Sequence, residues 1–557
     1  MTTETAREDV PPQAGARPPG RWRRWWFALA VVALLAQMAA AMVTTAVEQT
    51  PTIDEPVYVG AAVYDLEHHS LRYNPEHPPL GKLIIATGLA FADVHVGAAF
   101  AGDQTQLGRH VLYESGHDPA RLLLLARLPV IVLTLLFGLV VFAFARETAG
   151  RAGGLVALAL YAFSPDVIAH GSLATLDVPV AGFLVTSAWL LWRARRRPAV
   201  YLPLAGLALG AALATKMSAL PAVPVLLLLA VLSIRQARRM AGDDPRGTVR
   251  RLALGAAAAV AVALIAVAVV WASYLAVDLR LHRVPPPGLP AADGLRALTG
   301  LLPLPEPYLD GMRVQFGLED RVWTTFLFGT QHVGSLWYYL PAALLVKTPL
   351  GTSALWAAGA VASVAVPRLR PAAPYVLVPP AVLLASAMTG SRDLGVRYAI
   401  FVPMFLAIAA AGVVAVRRRW TPVAVAALVV FTAVSSLRTF PYYLPYSNEA
   451  FGGPAQTHLR LHDSNVDWGQ DLGRLADRLR QRYPGERVWL VYKGSGVPSF
   501  YGIDAADPLT APADAVRGLL VVSDSAVAKA DDRLAALIRG STPIDEVGHS
   551  ITLYRRP

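Results

Sequence analysis

The chain has 557 residues, of which 55% are hydrophobic and only 16% charged, with a formal net charge of +11. A soluble domain carries about 25% charged residues, so an ordinary soluble enzyme of this size is excluded and a membrane protein is indicated. The sequence has no Cys, which excludes disulfides, thiolate metal sites and thiol nucleophiles and leaves the chemistry to oxygen and nitrogen groups.

Residues 1–20, MTTETAREDVPPQAGARPPG, are polar and Pro-rich and read as a disordered cytoplasmic tail. RWRRWW then leads into an apolar run reaching Val47. That run is longer than a signal-peptide core and lacks a persuasive cleavage site, so it reads as an uncleaved first span. Further stretches long enough to cross a ~30 Å hydrocarbon core are predicted at 121–145, 152–170, 174–192, 199–215, 217–234, 252–275, 338–362, 372–389, 397–416 and 421–440, about eleven spans in all. The connections RETAGR, RARRR, RQARRMAGDDPRGTVRR, PRLRP and the RRR before Trp420 fall on the side of the N-terminal tail, which places the N-terminus in the cytoplasm and the C-terminus outside. The opposite connections include two long loops, 48–120 and 276–337.

Residues 21–445 thus form a transmembrane domain, and 446–557 change character. RVWLVY and GLLVVS are strand-like and GQDLGRLADRLRQRY is helix-like, a pattern that predicts a small extracytoplasmic α/β domain. There is no internal repeat, no Gly-rich phosphate loop after a strand, and no basic and aromatic interleaving suited to nucleic acid.

Asp54 and Glu55 follow the first span directly, where a carboxylate can lie at the interface without the cost of full burial. On their own they read as solvated loop residues. Their company shifts that reading: Glu76, His77, Lys82, Asp177, Lys216, His332, Lys347 and Arg397 all fall in outer loops or at outer span ends. A cluster of mixed sign beside a bilayer suits a lipid-linked anionic substrate, with cations for its phosphate and a carboxylate to accept the proton of an attacking hydroxyl.

TIDE after the first span, NPEHPPLGK, HGSLATLD, LPLPEPYLDG, GTQHVGSLWYYLPAALLVKTP, LGVRYAIFVP and LPYSNEAFGGP followed by DSNVDWGQDL occur in order. Over about residues 25 to 505 this series resembles a bacterial branch of the protein O-mannosyltransferase and phospholipid-carrier-dependent glycosyltransferase family, within the GT-C glycosyltransferases. The resemblance implies a polytopic α-helical membrane protein of GT-C type whose first outer loop carries juxtamembrane helices and the catalytic acid. It implies a polyprenyl- or dolichyl-monophosphate sugar as donor, mannose foremost, and an inverting displacement without a nucleotide. Asp54 then matches the general base and Glu55 its support. Glu76 matches an acid near the donor phosphate or a bound divalent cation, with His77 replacing the Lys of related EKPPL stretches. Asp177 matches an acid that shapes the same cavity, while Lys347 and Arg397 match cations suited to the lipid phosphate, with Lys82 in the same donor set. The acceptor is a protein, glycan or lipid hydroxyl on the outer face of a bacterial plasma membrane.

Several residues carry a second reading. Lys347 also fits a side chain snorkelling to the interface, and Arg397 a topology marker on the unexpected side. His68 and His69 read as ordinary loop residues. His332, with Glu76, is the candidate metal ligand, although no ligand spacing such as HxxxH supports it. SLWYYLP reads as an aromatic belt or a sugar platform. Asp463, Asn465, Asp467, Trp468 and Gln470 suit either a carbohydrate or cation site or a helix cap with a packed Trp. For the whole chain, a flippase or transporter of lipid-linked sugars and a non-catalytic polyprenyl-phosphate-binding scaffold remain open, although ionisable residues gathered at one interface favour the enzyme.

Overall fold

The computed structural model describes residues 21–240, 248–286, 288, 289, 291 and 294–557; the tail expected at 1–20 lies outside them. The chain begins with α1 (Arg21–Glu48), and the first long loop folds into α2 (Glu55–His68), α3 (Pro79–Leu89) and α4 (Gln104–Arg109). Asp103 starts α4 with a capping box, its carboxylate accepting from Thr105 and Gln106 backbone N–H groups while Gln106 returns a bond. The bundle continues with α5 (Pro119–Ala162), α6 (Pro165–Gly171), α7 (Asp177–Ala194), α8 (Pro198–Thr215), α9 (Ala222–Met240) and α10 (Thr248–Val277). The second long loop holds α11 (Glu306–Glu319) and a hairpin of β1 (Thr324–Leu327) and β2 (Thr330–Val333). It leads to α12 (Tyr339–Lys347), α13 (Leu350–Ala365), α14 (Ala373–Ala387), α15 (Phe401–Ala411) and α16 (Thr421–Leu437).

Among the described residues, four helices are long and apolar enough to cross a membrane: 24–48 of α1, α5, α8, and 249–277 of α10. Shorter apolar helices, α13, α14, α16 and the stretch from α15 to Ala415, stand beside them. Large apolar side chains such as Leu29, Val132, Leu136, Leu264, Val361 and Val423 are exposed on these helices. This outer surface suits hydrocarbon rather than water. Close helix approach relies on small residues, as packing in lipid does. A Cβ on Gly182 of α7 would sit 2.1 Å from the Phe137 ring of α5.

Two predicted spans are broken, and two are joined, where the local chemistry requires it. The predicted spans 121–145 and 152–170 meet in α5, which turns at Gly150 with φ +81°, a conformation open to Gly at little cost. The second of them does not run straight to residue 170: the helix ends at Ala162, and Ser164 caps a separate α6. The predicted span 338–362 divides into α12 and α13 because Pro349 cannot donate to the Leu345 carbonyl. Asn448 supplies the missing bond, its Nδ2 donating to Leu345 O at 2.7 Å and Thr348 O at 2.9 Å.

The C-terminal domain contains α17 (Leu472–Arg482), β3 (Val488–Val491), β4 (Ala505–Ala506), β5 (Gly518–Ser523), α18 (Asp524–Ala528), α19 (Asp532–Arg539), β6 (Thr542–Val547) and β7 (Ile551–Arg556). The sheet order is β4-β3-β5-β7-β6, with β3 parallel to β4 and β5 and the last two strands antiparallel. Residues 446–471, grouped with this domain in the sequence reading, form none of the sheet. They run as a strap between the bundle and the sheet, bonded to both.

Candidate functional site

A cavity of about 800 Å³ opens at the end of the bundle that carries the C-terminal domain. Its polar end is built from residues that the chain delivers separately. Asp54 precedes α2, Glu76 and His77 precede α3, Asp177 begins α7, Lys216 follows α8, and Arg397 lies in the short 3-10 turn before α15. Its apolar arm descends between α7, α14 and α15, lined by Val180, Ala181, Leu184, Leu383, Ile400 and Phe401. Leu184 lies seven residues beyond Asp177, so at 1.5 Å per helical residue the arm reaches roughly 10 Å into the bundle.

The charges in this cavity are paired across elements. Arg397 Nη1 donates to Asp54 Oδ2 at 2.6 Å, and Lys216 Nζ donates to Asp177 Oδ1 at 2.7 Å. At the rim, Arg392 Nη2 donates to Glu319 Oε1 at 2.7 Å and to Gln315 Oε1 at 2.8 Å, joining α11 to the loop before Arg397. Asp54 retains 27% side-chain exposure while Arg397 has 7%, so the pair faces open space from the carboxylate side. Glu76 accepts from Gln104 Nε2 at 3.1 Å and has no ion-pair partner among the described residues. Burial, reinforced by the Lys216 ammonium, pushes His77 well below the ordinary imidazole range. A neutral ring therefore stands beside Glu76 and contributes no cation there.

Other expected site residues are elsewhere. Glu55 is fully buried and does not line the cavity. Its carboxylate accepts from Arg127 Nε and Nη2, each at 2.7 Å, and from the backbone N–H groups of Thr52 and Ala174. Burial alone would raise its pKa, but Arg127 and these bonds hold it below the usual value. With its acceptor sites occupied by the protein, Glu55 is a structural anchor and not a second catalytic acid. Lys82 also turns away: its ammonium lies 3.2 Å from Asp65 and donates to the Tyr73 and Asn74 carbonyls. Lys347 neither snorkels nor reaches the cavity. It is 1% exposed, lies 3.5 Å from Asp166, and donates to Leu444 O at 2.5 Å and Asn465 O at 2.9 Å.

His332 pairs with Thr325 in the β1/β2 hairpin and is not on the cavity wall. It therefore does not join Glu76, and no group of three or more His, Asp or Glu able to hold a metal occurs among the described residues. His68 and His69 bond the Val96 and Val277 carbonyls at 2.7 and 3.0 Å, as loop residues. In SLWYYLP, Trp337 and Tyr338 are exposed, whereas Tyr339 is buried and its hydroxyl accepts from Asn465. Asp463, Asn465, Asp467, Trp468 and Gln470 are all nearly fully buried and bonded to the protein, which leaves no open carbohydrate or cation platform.

The partners of the anchors were missed in the sequence. Arg127 had a visible signal, a lone Arg inside LLLLARLPVIV, where an unpaired charge in an apolar span would be costly. Asp166, Glu319 and Arg392 had none, because their partners lie far along the chain.

Residues 31–279 match the family model described as dolichyl-phosphate-mannose-protein mannosyltransferase. A search of curated proteins found no match. Among solved structures, the chain is similar to ArnT from Cupriavidus metallidurans in the apo state, at 15% identity over 96% of this chain and 98% of that chain, with a TM-score of 0.48. It is also similar to the Archaeoglobus fulgidus oligosaccharyltransferase in the apo form, at 13% identity over 84% and 59% of the two chains and a TM-score of 0.43. A further likeness is to the S. cerevisiae Pmt1-Pmt2 protein O-mannosyltransferase complex bound to the sugar donor, at 17% identity over 46% and 34% and a TM-score of 0.34. The family resemblance carried by the motifs is thus met by the family model over residues 31–279, and the fold is a multi-helix bundle, with helices long and apolar enough to cross a membrane, joined to a small C-terminal α/β domain.

Proposed function

We propose that this chain is a membrane glycosyltransferase that moves a sugar, mannose foremost, from a polyprenyl-phosphate donor to an acceptor hydroxyl on the outer face of a bacterial plasma membrane. The observation that carries this reading is one cavity with Asp54, Arg397, Asp177 and Lys216 at its polar end and an apolar arm leading into the bundle. The arm suits a polyprenyl chain and the cations suit its phosphate, which lets one ligand satisfy both ends. The match to a dolichyl-phosphate-mannose-protein mannosyltransferase model over 31–279 supports the same donor class. That segment includes Asp54, Glu76, Asp177 and Lys216.

In this reading the donor phosphate competes with Asp54 for Arg397, and the carboxylate is freed as the donor seats. Asp54 takes the proton from the acceptor hydroxyl. The acceptor oxygen forms its bond to the anomeric carbon as the bond from that carbon to the phosphate oxygen breaks, with inversion, and the electron pair leaves on the phosphate. Arg397 and Lys216 hold the charge that grows there, in a recess where water screens it less than in bulk. Arg is suited to this role because it stays charged and offers two parallel donors to phosphate. The energy comes from the donor phosphodiester, so no nucleotide is required. Residues able to hold a metal do not converge here, and no step is assigned to one.

The test is transfer of radiolabel from polyprenyl-phosphate mannose in membranes containing the wild type or Asp54→Asn. The expected result is label in a protein, glycan or lipid fraction with the wild type and none with the variant, the labelled fraction giving the acceptor class. Equal labelling by both would overturn the assignment of Asp54. Absence of labelling with mannose but transfer from another polyprenyl-phosphate sugar would replace the sugar and keep the reaction.

A further inference from the structure

The motif at 463–471 occupies an unusual place. Open α/β sheets bind ligands outside the carboxyl ends of their parallel strands, here the ends of β3 and β5. In this chain that position is filled by the chain itself. Asp463 receives Lys493 Nζ at 2.7 Å, just past β3. Ser525, just past β5, donates its backbone N–H to Asp467 Oδ2 at 3.1 Å and its hydroxyl to Asp467 O at 2.7 Å. Tyr492 Oη donates to Gly469 O at 2.7 Å. The edge at which such a domain would take a ligand holds the strap.

The other side of the strap meets the cavity wall at its two reactive positions. Residues 50–53 lie along it, with Thr50 N donating to Gln470 O at 3.0 Å and Ile53 N to Trp468 O at 2.9 Å. Ser495 of the C-terminal domain adds a bond to Ile53 O at 2.7 Å. These contacts fix the backbone immediately before Asp54. Asn465 Oδ1 accepts from Val396 N at 3.0 Å, and Ser464 Oγ donates to Leu394 O at 2.6 Å. The Trp468 ring lies 4.4 Å from the Arg397 guanidinium carbon. Gly395 allows this approach, since a Cβ there would lie 2.2 Å from Ser464 Oγ and its φ is +149°. Backbone and side chain of the 396–397 segment are thus both held by the same nine residues.

We propose that the 463–471 strap is the positioning element of the cavity, with Trp468 setting the Arg397 guanidinium through its ring face and Asn465 setting the backbone beneath it, and that the C-terminal domain acts on the reaction through this strap and not by binding substrate. The inference rests on the functional reading for the consequence, donor binding, but the coupling of Trp468 to Arg397 stands without it. Lys347 belongs to the same arrangement, because its bond to Asn465 O ties the strap to the end of α12. Trp468 and Asn465 are positioning residues, since they line none of the cavity.

The experiment is a double-mutant cycle on the full-length protein in detergent, using Trp468→Met, Trp468→Phe and Arg397→Gln, with polyprenyl monophosphate binding and thermal unfolding of the empty protein as readouts. Met and Phe both shrink the side chain, but only Phe keeps a ring face for the cation. The expected result is that Trp468→Met weakens binding about tenfold, that Phe restores most of the loss, and that neither has a further effect with Arg397→Gln. In the empty protein, the unfolding shifts of Trp468→Met and Arg397→Gln should fall short of their sum when combined. Equal losses for Met and Phe, or additive effects in both readouts, would overturn the proposal. A wild type that binds no polyprenyl phosphate while the unfolding cycle stays non-additive would overturn the functional reading and leave the positioning role standing.

Discussion

Two sets of ion pairs lie close together at the same end of the bundle and differ in what surrounds them. Glu55 with Arg127, Lys82 with Asp65, and Lys347 with Asp166 are enclosed, each cation also bonded to backbone carbonyls. Asp54 with Arg397 and Asp177 with Lys216 face the cavity. A buried pair repays the desolvation of its charges only when their remaining donors and acceptors are satisfied. Glu55 with Arg127 meets that condition, and although Asp65 and Asp166 keep carboxylate oxygens without a hydrogen-bond partner, none of the three pairs lines the cavity where a substrate could reach it. In the cavity pairs each partner has a neighbour it can exchange, since a phosphate can replace Asp54 at Arg397 and a hydroxyl can replace Arg397 at Asp54. Proximity to the site is therefore a poor guide to chemistry, and unused valence facing open space is a better one. Asp54 and Glu55, adjacent in sequence, fall on opposite sides of this division.

The largest effect should come from breaking an enclosed pair. Arg127→Ala leaves a fully buried Glu55 carboxylate without its cation, at a cost of about 3–5 kcal/mol, and removes the clamp on the carbonyls of Ala46, Gln49 and Thr50. The expected outcome is little or no monodisperse protein on size-exclusion chromatography, with Glu55→Ala behaving alike. Either variant folding well and losing only transfer would erase the distinction between the two sets.

Next in size, Asp54→Asn should fold with an unfolding temperature near that of the wild type and lose transfer by about 10²- to 10⁴-fold, the range a positioned general base contributes. A matched contrast sharpens the comparison among the lysines. Lys216→Met should raise the donor KM with modest loss of stability, whereas Lys347→Met should lower the unfolding temperature and leave donor KM near the wild-type value in whatever protein folds. A reversed outcome would move Lys347 back into the phosphate site that the sequence suggested for it.

That suggestion shows how far the sequence could be read. Helical spans follow from apolar length, and the C-terminal sheet from RVWLVY and GLLVVS, because these signals are local. Asp54, Asp177, Lys216 and Arg397 were legible as a group because each sits at the end of a span, so the membrane fixes their depth. Their sorting was not legible. Whether Lys347 points to a cavity or to Asp166 depends on a break at Pro349 and on Asn448 and Asn465, about 100 residues later in the chain. DSNVDWGQD was visible as a motif, but a row of acids with Trp looks the same whether it faces a sugar or packs between two domains. Only the partners Val396, Ser525 and Thr50, scattered over the chain, decide between the two.

The smallest effect concerns the strap's attachment to the C-terminal domain, and it has a sign that pH can expose. Burial pushes the Asp467 carboxyl up to about 7, and burial likewise pushes the neighbouring Asp524 up to about 7. A carboxyl whose folded pKa exceeds its unfolded value of about 3.9 binds more protons in the folded state between the two, so stability falls as pH rises through that window. Asp463 works in the other direction: burial would raise its pKa, but Lys493 more than offsets this and holds it below the usual carboxylate range. Its stabilising contribution is present above about 3.9 and lost only in stronger acid, so it stays constant from pH 5 to 8. Burial pushes His462 down to about 3, which works against that fall up to about pH 6.5, so the reading is the difference between proteins: the unfolding temperature of Asp467→Asn should gain on that of the wild type by about 2–4 °C from pH 5 to pH 8. Asp467 accepts from Gly469 N–H through Oδ1 and from Ser525 N–H through Oδ2, so the amide keeps one of these bonds and loses the other at every pH, which shifts the level of stability, while the slope with pH reports the charge. A variant whose slope matches that of the wild type would mean that Asp467 sits in a wetter contact than the strap provides, with the domain free to lift from the bundle.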